Sequence, residues 1–369
     1  MSSFWSEIRA DFPITERCIY LDHASGGPIP RPVYEKLPQY HTEHFKEADF
    51  AWPRWMERKE EVRRKAAEFI NADPSEITFT TSTSQGINLI ADMIAGSGKV
   101  LTNTSEFPSS TLPWLWRKTK LVWQKAEHGR ISLKTLQKKL MPDIKTIVTS
   151  WVQYGTGFRQ DLEALGKIKG NRFLAVNATQ GFGAMKVDVK KWNCDFLCTN
   201  SYKWMMAGYG GGILYVRKKW LEKFKPAFVS WRSMEEPDIM DNRKIKVRKD
   251  AARYEIGCPT FPMIFAVGAA LDYFSQIGPE KIEKRVLELS GFAVQGLKKA
   301  GFEVLTPEEP ENRAGIVIFK SKNPEKLRSR LLAEKIYLSV RGGALRIAPH
   351  FYNSFEDLET FIKKAVTHR

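Results

Sequence analysis

Cysteine is scarce in this chain. Its 369 residues include only Cys18, Cys194, Cys198 and Cys258. Their spacing fits no metal site and no disulfide framework, so no bound metal is expected. Cys194 and Cys198 lie in a strand-like segment and read as reduced, buried thiols of a reducing compartment, the cytoplasm. Long apolar runs are also missing. No stretch of about 18 apolar residues occurs, which excludes a transmembrane helix and a membrane partner of that kind. The opening segment, Met1-Ser2-Ser3-Phe4-Trp5-Ser6-Glu7, has no basic stretch followed by an apolar core, so a signal peptide is not expected. Internal repeats and low-complexity segments are absent too.

Acidic residues are outnumbered, 42 against 58 basic ones, giving a net charge of +16. Such a balance invites a nucleic-acid reading. The basic residues are dispersed, however, at 63–65, 138–139, 190–191, 217–225, 243–249 and 298–299, and most alternate with acids in amphipathic helices or loops. They read as solvated faces, and no nucleic-acid partner is expected. Hydrophobic residues make up 43% and charged residues 27%, the composition of an ordinary globular chain large enough for two lobes.

What is present is an alternation of periods. Helical spacing at 60–70, 85–95, 133–140 and 161–168 is interleaved with strand-like runs at 77–80, 100–102, 121–123, 146–150, 173–176, 196–198 and 213–216. This βα alternation predicts an α/β fold: a three-layer α/β/α domain around a mostly parallel sheet. Past residue 255 the pattern changes. Helices at 266–277, 282–299 and 354–366 and strands at 315–319 and 345–347 predict a smaller α+β domain, with the basic stretch 234–252 as linker. The expected division is 16–250 for the large domain, with 1–15 and 251–369 forming the small one.

Five segments suit one phosphorylated, aromatic aldehyde ligand. Residues 80–86, Thr-Thr-Ser-Thr-Ser-Gln-Gly, place hydroxyls where a strand gives way to a helix, and free N–H groups at a helix start attract phosphate. Phe107 follows the next strand and is placed to stack on a flat ring. Asn177 and Gln180 end a further strand, within reach of a ring nitrogen and a ring hydroxyl. Lys203, in Ser201-Tyr202-Lys203-Trp204, lies between an apolar run and a glycine-rich turn; burial there favours the neutral amine that condenses with an aldehyde. Arg346 sits on a strand of the small domain and is suited to a bidentate grip on a carboxylate.

Taken in order along the chain, these segments resemble the class V aminotransferase family of pyridoxal-5′-phosphate (PLP) enzymes of fold type I, which includes cysteine desulfurases, kynureninase and isopenicillin-N-epimerase-like proteins. The likeness runs from Tyr20-Leu21-Asp22-His23-Ala24 to Arg346-Ile347-Ala348-Pro349-His350-Phe351-Tyr352-Asn353. It implies that Lys203 forms the Schiff base and shuttles protons. Thr83, Ser84 and Tyr202 would hold the phosphate, Phe107 would stack on the ring where other members use histidine, and Gln153 and Gln180 would lie near the ring hydroxyl. Arg346 would hold the α-carboxylate of an amino-acid substrate, with Ala24 and Ser25 lining the same pocket and Trp231 bordering the side chain. It also implies a homodimer, in which the segment around Cys258 reaches the neighbour's cofactor.

Two departures carry expectations. Asn177 stands where the family has an aspartate, so the ring nitrogen loses its negative partner; a PLP-binding member of weak or redirected activity is the alternative this raises. Cys258 stands where threonine or serine is usual. Finally, no cysteine occurs between Arg313 and Asn353. Desulfurases carry their nucleophilic cysteine on a loop in that part of the chain, so transamination or lyase- or epimerase-like chemistry is expected here, and cysteine desulfuration is not.

Overall fold

The computed structural model describes residues 4–369; the first three residues, which belong to the segment read as lacking a signal and to the 1–15 part of the small domain, lie outside it. Seven strands form the central sheet: β2 (Ile77–Thr80), β3 (Lys99–Asn103), β4 (Leu121–Gln124), β5 (Ile144–Ser150), β6 (Phe173–Asn177), β7 (Phe196–Asn200) and β8 (Gly212–Val216). Their order is β2-β8-β7-β6-β5-β3-β4. All pairs are parallel except those of β8, which runs antiparallel to β2 and β7.

β6, β7 and β8 are buried along their whole length, as strands covered on both faces must be. The two-residue period sorts their side chains. Leu174 and Val176, with Ile213 and Tyr215, join one core; Phe173 and Ala175, with Leu214 and Val216, join the other. The strand order turns back at β3, which has β4 on one side and β5 on the other. That reversal opens a crevice at the carboxyl ends of β3 and β5, where ligands of such sheets bind.

A third core gathers Leu289, Phe319, Leu345 and Phe361 beneath a three-stranded antiparallel sheet of β9 (Val317–Phe319), β11 (Ser339–Arg341) and β12 (Ala344–Ile347). β1 (Ile19–Tyr20) pairs in parallel with β10 (Ile336–Tyr337), so the start of the chain returns to the C-terminal part. The helix Phe261–Ile277 lies just past the expected 250/251 boundary and packs on the helix Trp52–Phe69, within the core of the large sheet. Among the described residues, no helix is long and apolar enough to cross a membrane, and no group of His, Cys, Asp and Glu is placed to hold a metal ion.

Candidate active site

The crevice holds a cavity of about 260 Å³. One wall is assembled from the ends of strands. After β2, Ser82 caps the helix Thr83–Ile94 by accepting a hydrogen bond from the Gln85 N–H at 3.2 Å. Thr83 and Ser84 open that helix, and their hydroxyls meet Thr179 and Ser109 at 2.6 and 2.8 Å. The expected row of hydroxyls is therefore present, and it is extended by residues the sequence reading did not pick out. After β3 comes Phe107, which is 44% exposed because its ring faces the cavity and meets Tyr154 edge-on at 5.2 Å.

Beneath it, Glu106 joins the two sides of the crevice. Its carboxylate accepts hydrogen bonds from Asn103 Nδ2 (2.8 Å) after β3, and from the Ser150 N–H (2.6 Å), Ser150 Oγ (2.6 Å) and Gln153 Nε2 (2.8 Å) after β5. Gln153 thus gives its Nε2 to Glu106 and does not line the cavity, while its Oε1 is buried without a partner among the described residues. After β6, Asn177 is buried; its Nδ2 donates to Ser110 Oγ at 3.0 Å and its Oδ1 accepts from the Thr179 N–H at 3.1 Å. Gln180 reaches the wall, but its amide is used in packing: Nε2 donates to the Ala24 carbonyl (3.0 Å) and Oε1 accepts from Trp204 Nε1 (2.7 Å).

After β7 the chain carries Lys203. Its Nζ stands 5.9 Å from the Phe107 ring centre and 5.7 Å from that of Tyr202. Burial, reinforced by Arg346 and Arg341, lowers its pKa to about 8, which leaves about a tenth of the amine neutral at pH 7, far more than an ordinary lysine. The backbone of this loop is clamped. The Gly27 N–H donates to the Tyr202 carbonyl at 2.8 Å, and a Cβ on Gly27 would stand 2.4 Å from the Lys203 carbonyl oxygen.

The facing wall comes from β11, β12 and residues 22–25. Arg346 is 2% exposed; it donates to Ser25 Oγ (2.7 Å), Ser339 Oγ (3.1 Å) and Asp22 Oδ1 (3.4 Å). Burial lowers even this guanidinium to about 10, partly offset by Asp22.

Ala24, Ser25, Thr83, Ser84, Phe107, Asn177, Gln180, Tyr202, Lys203 and Arg346 are therefore brought together in one cavity. Trp231 and Cys258 are not; each lines a separate surface depression of this chain. Sequence reasoning missed Ser109, Ser150, Thr179, Asn200 and Arg341. Ser109 had a visible signal, in the hydroxyl-rich stretch after Phe107. Arg341 had none, because its strand is only three residues long.

The cavity suits PLP. Hydroxyls crowd the N–H groups at a helix start, an aromatic ring stands over a lysine amine with a lowered pKa, and Asn200 Oδ1 is buried in the wall without a partner in the protein.

Comparison with known proteins agrees. The model of the family "Aminotransferase class-V" matches residues 19–361. A probable cysteine desulfurase of Pyrococcus abyssi is 29% identical, with 96% of this chain and 95% of that protein covered. Another, of Borreliella burgdorferi, is 28% identical over 96% of this chain and 94% of its own length. The apo structure of a cysteine desulfurase from Thermococcus onnurineus NA1 superposes with a TM-score of 0.87 at 26% identity, covering 98% of both chains.

These relatives overturn the exclusion of cysteine desulfuration drawn from the cysteine-free stretch 313–353. A loop thiol concerns which group accepts the sulfur; it does not decide whether the lysine, the hydroxyl row and the arginine cut a carbon–sulfur bond. The chain belongs to the class-V aminotransferase family and is a PLP-dependent enzyme of fold type I.

Proposed function

We propose that this enzyme cleaves the Cβ–S bond of L-cysteine or of an amino acid derived from it. The observation that carries this reading is the placement of Lys203 and Arg346 in one cavity. The names of the relatives direct it to sulfur. Thr83, Ser84 and Tyr202 would hold the phosphate of PLP, Phe107 would cover its ring, and Lys203 would bond its aldehyde carbon. When bound, PLP supplies an electron sink for charge released at Cα.

The protein's own groups do the rest. Arg346 holds the α-carboxylate, and Asp22, Ser25 and Ser339 fix the guanidinium in place. Lys203 Nζ, neutral in part near pH 7, takes the Cα proton and returns it. Asn177 offers an amide donor toward the ring side of the cavity in place of a charged acceptor.

Among the described residues no cysteine lines the cavity, so the sulfur passes to a thiol that arrives from outside. With an external thiol RSH, cysteine gives alanine and the persulfide RSSH: the Cβ–S bond breaks, Cβ gains hydrogen, and the sulfur is bonded to the acceptor sulfur. The test is incubation of the PLP-loaded enzyme with L-cysteine and dithiothreitol, with sulfide and alanine measured. Sulfide that depends on Lys203 is expected. Its absence while the lysine-bound cofactor absorbance is intact rejects the reading.

The active unit is proposed to be a homodimer. Phe45, Phe50 and Trp116 are large aromatics exposed on this chain, at 89%, 93% and 84%. Light scattering is expected to give twice the 42.3 kDa chain mass. All four cysteines are free, which suits the reducing cytoplasm.

A further inference from the structure

The loop that carries Lys203 does not hold its own shape. It turns back through Met206, which is buried at a φ of 54°, a left-handed conformation that disfavours any residue with a side chain. Contacts from elsewhere must hold the turn, and three successive carbonyls show how. The Tyr202 carbonyl accepts from the Gly27 N–H at 2.8 Å, and the Lys203 carbonyl from the Met206 N–H at 3.1 Å. The Trp204 carbonyl accepts from His350 Nε2 at 3.3 Å, and among the described residues it has no other donor.

The hydrogen bonds of His350 fix its tautomer. The Phe351 N–H donates to Nδ1 at 2.8 Å, so Nδ1 carries no proton and the ring proton sits on Nε2, facing Trp204. Burial keeps the ring neutral by lowering its pKa to about 3. His350 is also anchored through its backbone. Its N–H donates to Asn353 Oδ1 and its carbonyl accepts from the Asn353 N–H, each at 2.9 Å. Asn353 Nδ2 in turn donates to Asp357 Oδ2, at 3.1 Å, on the C-terminal helix Phe355–Thr367.

Trp204 is held at its side chain as well. Its indole Nε1 donates to Gln180 at 2.7 Å, and a Cβ on Gly315 would stand 2.4 Å from the indole ring. On the facing wall, His350 lies four residues beyond Arg346. Between them the Ala348 N–H donates to the Leu21 carbonyl at 2.7 Å, which lays this stretch beside Asp22, the carboxylate bonded to Arg346. One short segment therefore carries both the guanidinium and the imidazole.

Resting on the PLP and amino-acid reading of this cavity, we propose that His350 is a positioning residue: its Nε2–H holds the Trp204 carbonyl and so fixes Lys203 in place relative to Arg346. His350 touches no substrate. Without its donor the Trp204 carbonyl is buried and unpaired, Met206 is free to relax, and the lysine side chain starts from a displaced backbone. Proton transfer at Cα tolerates little displacement.

Two substitutions separate the two ring nitrogens. His350→Gln keeps a donor near the place of Nε2. His350→Asn keeps an acceptor near the place of Nδ1 and puts nothing at Nε2. Each protein is melted without cofactor, then reconstituted with PLP. The loading rate is read on its alkaline plateau, where the amine is free, and the circular dichroism of the lysine-bound cofactor is recorded. Exchange of the Cα proton of L-alanine is followed in deuterated water. His350→Asn is expected to melt cooperatively, to load and exchange about tenfold more slowly, and to show an altered dichroism, while His350→Gln stays within about threefold of the unaltered protein. Equal slowing in both variants, or none in either, overturns the proposal. So does loss of cooperative melting in His350→Asn, since the bond would then serve stability alone. Loading and dichroism need no substrate. An unaltered enzyme that loads PLP yet exchanges no Cα proton counts against the amino-acid reading, and the first two measurements still decide the role of His350.

Discussion

The two walls of the cavity are built by opposite means. The wall that carries Lys203 is assembled from the ends of five strands spread over residues 80–203, and apart from that lysine it is neutral: hydroxyls, amides and aromatic rings. The facing wall is compact. One hairpin and residues 22–25 supply two guanidiniums and the network of hydroxyls that holds them. A cofactor with a flat ring and a phosphate needs many weak contacts from many directions, which strand ends provide. A carboxylate needs a few fixed charges, which a short, rigid hairpin provides.

Lys203→Ala breaks the comparison most severely, because it removes the one reactive group of the neutral wall. The borohydride-reducible absorbance of bound PLP is expected to vanish, measured by absorbance scan after reconstitution. In the unaltered protein, reconstitution follows the free amine. With the lysine pKa lowered to about 8, the protonated form dominates below that pH, so the rate of cofactor loading should climb from pH 7 to 9 and then level off. An ordinary lysine would still be climbing beyond pH 10.

Asn177→Asp sharpens the contrast by placing one carboxylate in the neutral wall. A negative charge in the same cavity favours the protonated amine, so the midpoint of the loading profile should move upward, by about one unit. A profile that does not move would mean that the new carboxylate is itself protonated or screened.

The smallest effect belongs to the hairpin. Gly343→Ala forces a side chain into a left-handed conformation where space is open but the backbone is strained, at a cost of about 1 kcal/mol. Urea unfolding should register this as a modest loss of stability with an unchanged slope.

The neutral wall was the more legible from sequence. Each of its strands is a short apolar run closed by polar residues, and the βα period marks where every strand stops; Thr83, Phe107, Asn177 and Lys203 all lie at such stops. Gln153 sits at one too, but only the folded chain reveals that Glu106 claims its amide. The compact wall was half legible. Arg346 stands in an evident strand, whereas β11 has only three residues before a Gly-Gly turn, too short for its alternation to register. The helix Pro108–Trp116 escaped for a related reason: prolines at its start and within it mask the helical period. Trp231 and Cys258 rested on the family resemblance alone, and the folded chain places each in a separate surface depression.

The Glu106 carboxylate bears on the thermodynamics of ligand capture. By joining Asn103 on one side of the crevice to Ser150 and Gln153 on the other, it fixes the separation of two strand exits during folding. The entropy of ordering those loops is lost when the chain folds, and a ligand entering later need not supply it. A larger share of each contact it makes therefore remains as affinity.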